Sequence, residues 1–552
     1  MYWNYVPYYS HRASSYRGES ATAELANHKQ AQAEEKLQPE STQCSQHSHH
    51  GFEYVDLQFD SPRLAQYADI ALHSSPLSWS LKRKILVLAT PFMAALFAAY
   101  SAGAYGMAAP ALQLQWHISS VVVNVGITLF VLGFAFAPII LALISELYGR
   151  YWVFLGAGVV SLLGTLGCAF TDSLAGMLVS RFVTGCGASV FATLTGGVVG
   201  DLFRKEDRNT PMALYSLAII MGTGVGPLVS GVVAEHMTWR WVFYLQAILI
   251  GLTTIGLGLT FQETRANVLL ERNCRALNDH LARSEHHDPQ TQPTASKSTQ
   301  CQYTRQGTRQ VRFRVPALKQ SSLAAIVWRS FKFPLRLLFT ESIVFWFSAW
   351  VSFAWAILYM QFASISLVYR SVYSFDSTQV GGVYTAVVVG SILGAAMSIA
   401  QDYACRRYWP AASTRPESRL YLACVATLLL PAGLFMFGFT SRASIHWIVP
   451  TTAIGMFIAG IFVIYLAVFN YLVDAYGAYA SSALAAQSMC RNLLAGVFPL
   501  FTKAMFERLG YQGAGCLLGG VGLVLCLVPW MLCLYGDAIR RRSVLVQKMD
   551  VG

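Results

Sequence analysis

Charge is what this sequence has least of. Asp, Glu, Lys and Arg make up 12% of its 552 residues, about half the share of a soluble domain, which excludes an ordinary soluble globular chain. No acidic residue falls in the middle of any long apolar run, so no buried carboxylate is on offer to a multiply cationic ligand such as a polyamine. A G-x-x-x-x-G-K-[ST] phosphate loop is missing, which argues against an ATP-driven pump. Neither a G-x-S-x-G elbow nor a metal-spaced cluster occurs, so an enzyme is not expected, nor a cofactor or a metal. The eleven cysteines place no pair in loops facing an oxidising compartment, and no disulfide is expected.

What the sequence has instead is apolar length. Hydrophobic residues account for 55% of the chain and its mean hydropathy is +0.44. Runs of about twenty apolar residues match the roughly 30 Å hydrocarbon core of a bilayer. Twelve such spans are predicted. Those of the first half cover 85–107, 121–143, 151–170, 174–200, 212–235 and 241–261; those of the second cover 338–362, 379–400, 420–440, 445–470, 481–505 and 513–535. The expected fold is an all-α membrane protein of twelve transmembrane helices in two six-helix halves, 85–261 and 338–535. Residues 1–84, rich in Ser, His, Gln and Tyr, read as a disordered tail, 262–337 as a middle loop and 536–552 as a second tail. The middle loop opens with a surface helix, "ETRANVLLERNCRALNDHLAR", and continues as polar linker. His47, His49 and His50 lie in the first tail, where a solvated segment is favoured over a metal site.

The basic residues orient the spans. Arg240, Arg370, Arg442 and Arg508 fall on one side and Arg181, Arg491 and Lys503 inside spans, which leaves 33 of the 40 Lys and Arg on the side of the termini. Both termini are therefore expected in the cytoplasm. The net charge of +12 is this asymmetry, and with no basic folded domain beside it a nucleic-acid partner is not expected. A lipid bilayer is, with anionic headgroups attracting the final "RRRSVLVQKMD".

Two motifs repeat between the halves. "ALISELYGRYWVF" joins spans two and three with Glu146, Gly149 and Arg150, and "AQDYACRRY" takes the same place after span eight with Asp402, Arg406 and Arg407. "VVGDLFRKEDR" ends span four at Asp201, and "NYLVDAYGAYAS" ends span ten at Asp474. Span five carries "GTGVGPLVSG", in which small residues permit close helix approach and Pro227 removes a backbone donor.

With "SELYGR", "RFVTGCGAS", "GTGVGPLVSG", "WRWVFYLQAI" and "FPLRLLFTESIV" in order, the chain resembles the major facilitator superfamily, specifically its fungal twelve-span drug:proton antiporter branch, over nearly all of Ser75 to Arg542. Ala142, Tyr151 and Ser230 depart from the family's motifs. The resemblance implies a proton-driven exporter of amphipathic drugs, toxins or secondary metabolites, working as a monomer in the plasma membrane. A non-transporting sensor and an uptake symporter are the alternatives. It further implies a cytoplasmic gate of Glu146, Gly149, Arg150, Asp201 and Asp474, with Arg150 pairing Asp201 and Glu146 facing span eleven near Ser481. Gly222, Gly226, Pro227 and Gly231 would pack span five against the "GSILGAA" surface of span eight. Proton coupling falls to Arg181, with Glu235 and Glu341 as further candidates near span ends. Spans one, four, seven and ten would line the substrate cavity with Tyr100, Tyr105, Trp346, Trp350, Trp355, Tyr359, Gln361, Tyr465 and Asn470. Such large π faces with few fixed charges suit amphipathic or aromatic molecules.

Overall fold

The computed structural model describes residues 52–56, 59, 73–287, 310–314, 323–409, 416–476 and 480–542. Two units are distinguished. The smaller takes in 1–55 and 295–312, and contains most of two strands, Phe52–Asp56 and Gln310–Arg314, paired as a two-stranded sheet. The two strands fall within the segments read as first tail and middle loop. "QVRFR" alternates polar and apolar residues as a strand does, but its partner lies more than 250 positions away in sequence. The histidines at 47, 49 and 50 lie outside the described residues.

The larger unit is helical. Its first half holds span one (Leu81–Trp116), two (Ser120–Tyr148), three (Arg150–Phe170), four (Leu174–Leu202), five (Asn209–His236) and six (Arg240–Thr260). The second half holds seven (Ser342–Tyr373), eight (Ser377–Tyr408), nine (Glu417–Thr440) and ten (Ile448–Tyr476), followed by one apolar stretch, Ser482–Gly536. At 55 residues that stretch would extend about 80 Å, far more than one crossing needs. It turns at Gly510, where φ 68° and ψ 168° leave the helical region, and so makes spans eleven and twelve. Several helices outrun their apolar runs, because backbone hydrogen bonding continues through polar residues such as Lys82, Arg83 and Lys84 at the membrane edge.

The ends are set by local chemistry. Ser119 accepts from the N–H of Val122 and Ser173 from that of Gly176, opening spans two and four. Asp376 and Gln379 form a reciprocal capping box at the start of span eight. His117 (φ 51°) and Ser374 (φ 55°) close spans one and seven in the left-handed region. Helix Ala266–His287 follows span six as expected, and Asn273 fixes its position by exchanging two hydrogen bonds, of 2.8 and 2.9 Å, with the backbone of His73. A second linker helix, Leu323–Thr340, replaces the polar linker expected there; it is short and carries three basic residues, which keeps it from reading as a span.

The glycines of span five work on two sides at once. A Cβ at Gly222 would lie 2.4 Å from the Leu96 carbonyl oxygen and one at Gly226 2.5 Å from that of Tyr100, so these two serve contact with span one of the same half. Gly231 faces span eight, where a Cβ would meet the Ser377 oxygen at 2.6 Å and Gly381 Cα at 2.9 Å. Pro227 rests its ring on Gly103. The expected partner surface is thus displaced: Gly390 and Gly394 of "GSILGAA" face Gly455 and Phe462 of span ten, and the span-eight surface meeting span five lies nearer its start.

Gly226→Val should therefore lower the melting temperature of the detergent-purified protein, since overpacking of this kind costs about 1–3 kcal/mol. Gly156→Val, where a Cβ meets nothing within 4 Å, should leave it nearly unchanged. Equal shifts in the two variants would refute the close-approach account.

Candidate functional site

The face of the bundle where span one begins and span twelve ends, the terminal face, carries two charged nodes. In the first, Arg150 opens span three and its Nε donates to Asp201 Oδ2 at 2.5 Å. Arg265 Nη1 lies 3.7 Å from the other oxygen of Asp201, and Thr264 Oγ1 donates to Oδ2 at 3.3 Å. Glu263, named by no sequence argument, holds this node together. Its carboxylate accepts from the backbone N–H groups of Arg150 (3.0 Å), Tyr151 (3.2 Å), Thr264 (3.0 Å) and Arg265 (2.8 Å), placing negative charge at the positive end of span three. Gly149 makes room: its φ is 97°, and a Cβ there would lie 2.3 Å from Glu263 Oε2. The one available signal was the Glu of "ETRA", just past the end of span six.

The second half repeats the plan with a different arginine. Arg419, entering span nine, donates to Asp474 at 3.1 Å and to Asp402 at 2.9 Å. Arg406, from the loop that repeats the one bearing Arg150, pairs with Asp402 one turn away on its own helix and donates to the Glu206 carbonyl of the other half. Arg540 secures Glu417 at 2.8 Å. Lys205 reaches Asp474 from the first half at 3.7 Å, and Asn470 Nδ2 donates to Asn209 Oδ1 across the halves at 2.7 Å.

Beside the first node lies a cavity of about 370 Å³, lined mainly by residues of spans two, four, five, ten and eleven. Glu146 is exposed and lines it without a recorded bond to span eleven; the side chain of Ser481 lies outside the described ones. The inner end holds Tyr215, Tyr465, Gln487 and Arg491. Arg491 is buried, with its guanidinium 4.4 Å from the Trp355 ring centre and 5.1 Å from that of Tyr465.

Beyond the cavity, toward the opposite face, the bundle is packed. Arg181 is buried there between the rings of Tyr105 (4.5 Å) and Phe130 (4.3 Å), and donates to the carbonyls of Ser101 (3.1 Å) and Gly126 (3.4 Å). Among the described residues no carboxylate forms a salt bridge with it; π faces and carbonyl dipoles stabilise its charge. Tyr359 is buried within electrostatic reach of both Arg181 and Arg491. The halves are joined on this side by Asn124 Nδ2 to the Pro499 oxygen (3.0 Å), Thr128 Oγ1 to the Gly496 oxygen (2.8 Å) and Asn492 Nδ2 to the Phe134 oxygen (3.2 Å).

Several residues assigned to the cavity from sequence lie elsewhere. Tyr100 hydrogen-bonds Ser230 at 3.1 Å within the span one and span five contact. Trp346 is 50% exposed beside Phe345 and is not among the residues lining the cavity. Gln361 faces a void of about 10 Å³ inside the second half. Asn470 belongs to a separate cavity of about 400 Å³ on the terminal face, with Asp402, Arg419 and Asp474. Trp350 stacks on Phe347 in the core; Tyr105, Trp355 and Tyr359 are buried without lining the cavity, the first two against Arg181 and Arg491. Of the acidic candidates, Glu235 is exposed and accepts from the Ser377 N–H at 3.0 Å, which makes it a cap on span eight. Glu341 is buried at the start of span seven and accepts from Tyr476 Oη at 3.3 Å.

Glu263→Ala would leave four N–H groups without their acceptor and should destabilise the purified protein by about 1–3 kcal/mol or more. Glu263→Gln, which keeps one carbonyl oxygen, should lose less. Thermal unfolding of the two variants checks the order, and the reverse order would remove Glu263 from the centre of the node.

Comparison with known proteins agrees with this architecture. A family model described as Major Facilitator Superfamily matches residues 92–499. The "Efflux pump FUB11" of Gibberella fujikuroi is 34% identical over 430 residues, covering 77% of this chain and 70% of its own length. The "Probable drug/proton antiporter YHK8" of Saccharomyces cerevisiae is 30% identical over 431 residues, covering 78% and 79%. Among solved structures, a partially occluded inward-open conformation of the xylose transporter XylE from E. coli superposes with a TM-score of 0.55 at 14% identity, covering 81% of this chain and 98% of that one, a likeness of fold alone. With its helical halves, its spans and these relatives in agreement, this chain belongs to the major facilitator superfamily and is a multi-pass integral membrane protein.

Proposed function

We propose that this protein is a secondary active exporter that moves small amphipathic organic molecules outward in exchange for protons by alternating access. The observation that carries the reading is the cavity of about 370 Å³, lined from both halves and reaching the terminal face. The relatives named as an efflux pump and a drug/proton antiporter support it. The terminal face is the cytoplasmic one in this reading, because basic residues such as Arg204, Lys205 and Arg208 concentrate in its loops. The plasma membrane is the assigned location, and one chain suffices because both halves of the pathway lie within it.

In this orientation the described state faces the cytoplasm. The Arg150–Asp201 and Arg419–Asp474 nodes keep the span ends together as each half rocks. Glu146 closes on the amino end of span eleven in the opposite state, where the helix dipole favours a carboxylate. Gly226, Gly222 and Pro227 hold span five to span one, so the pair moves as one body, and Gly231 forms the contact with span eight about which the halves turn. Arg181 couples protons through its own surroundings, since a charge so buried changes energy strongly with any change nearby. Glu341 is the second candidate for that role; Glu235, already serving as a cap, is the weakest.

Cells expressing the protein should extrude at least one of a set of fluorescent amphipathic dyes of both charge signs, and a protonophore should abolish the extrusion. Arg181→Ala should remove transport at unchanged surface expression, with Arg181→Lys restoring little because lysine lacks the planar fork. Dye retention equal to that of empty cells across the set would favour a sensor, and energy-dependent accumulation would favour an uptake symporter.

A further inference from the structure

The inner end of the central cavity carries a guanidinium and an amide and, among the described residues, no carboxylate. Arg491 is 4% exposed and Gln487 3% exposed, and both line the cavity. Arg491 Nη2 donates to Ser488 Oγ at 3.3 Å, but Arg491 Nε and Gln487 Nε2 are buried with no hydrogen-bond partner. Leaving such donors unmatched is costly, the more so for a guanidinium. The cation's flat faces are covered by Trp355 and Tyr465, so its free edge is what a ligand can reach. Toward the mouth the cavity also meets Arg150, Arg208 and Arg265, against the two acids Glu146 and Asp201. Asp201 is already engaged by Arg150 and Arg265, and Arg208 Nε is a third buried donor without a partner. Four arginines against two acids in one low-dielectric cleft set a positive potential, which draws anions and repels cations.

We propose that the substrate is an aromatic or amphipathic organic anion, a carboxylate or an equivalent ionised acid. This rests on the export reading and names its substrate class. The anionic oxygens accept from Arg491 Nε and Gln487 Nε2, and the apolar part lies against Ala135, Pro138, Leu484 and Met489, which line the same space. A cation of the same shape meets Arg491 with the wrong sign, and the inner end offers it no carboxylate, only the neutral oxygens of Gln487, Tyr215 and Tyr465. The cavity volume suits a molecule of a few fused rings or a short acyl chain with one ring.

The test is binding to the purified full chain in detergent, using 9-anthracenecarboxylate against the matched cation 9-(aminomethyl)anthracene and the neutral 9-anthracenecarboxamide. The carboxylate should bind most tightly, above its own pKa. Arg491→Ala should weaken it at least about tenfold, as expected for loss of a charge-assisted hydrogen bond. Arg491→Lys should retain part of the affinity, and Gln487→Leu, which preserves the arginine, should weaken it severalfold. Lys503→Ala, which alters only the exposed pair with Glu507, should bind as the parent does. Tighter binding of the cation, or carboxylate binding indifferent to Arg491→Ala and Gln487→Leu in folded protein, overturns the proposal. Because the readout is equilibrium binding, it separates from the export reading. Binding without protonophore-sensitive efflux would overturn export and leave the anion site standing, and efflux of cationic dyes alone would overturn the anion site and leave export standing.

Discussion

The hydrocarbon core of a bilayer supplies no water, so every backbone group and every charge inside it must find its match within the protein. In this chain the rule sorts the two signs of charge differently. Carboxylates are kept to the ends of spans, at Asp201, Glu235, Glu341 and Asp474, where partners or solvent are within reach. The interior charges beside the cavity are guanidinium groups, Arg181 and Arg491, sandwiched by aromatic rings. A delocalised, weakly hydrated cation tolerates π faces and carbonyl oxygens where a carboxylate would need donors.

That sorting gives the bundle its two working zones. On the terminal face, localised charges form the nodes around Asp201 and Asp474, each joining the ends of neighbouring spans. The nodes are related but unequal. Glu263 ties the first to the chain leaving span six, and the Glu417–Arg540 pair ties the second to the end of span twelve. In the interior, where no ion pair occurs among the described residues, close packing takes over. Glycine at 222, 226 and 231 lets backbone meet backbone, and span five thereby touches both its own half and the other.

Much of this was legible. The apolar runs give the crossings because bilayer thickness and helical rise leave no other reading. The Arg150–Asp201 pair was implied by the family resemblance of the loop between spans two and three, and the two residues do meet. Glu263 was not legible as a site residue, since its partners are backbone N–H groups across a turn, which carry no sequence signal. Arg419 was not legible either, since it lies outside the repeated loop that carries Asp402, Arg406 and Arg407, and the node is made by the chain entering span nine. The assignments of Tyr100, Trp346, Gln361 and Asn470 failed for a common reason: a span that is apolar all round has no polar stripe to say which side faces protein, lipid or cavity.

By itself, then, the sequence determined how many times the chain crosses the membrane, which face gathers the basic residues, and that no carboxylate lies at mid-depth. These are properties of composition along one dimension, fixed by the cost of placing charge in hydrocarbon. Only the tertiary structure decided that Gly226 serves span one while Gly231 serves span eight, that Glu263 gathers four backbone donors, and that Arg491 and Gln487 present unmatched N–H groups to the cavity. Those facts depend on helix rotation and on contacts between residues far apart in sequence, which packing sets and residue order does not record.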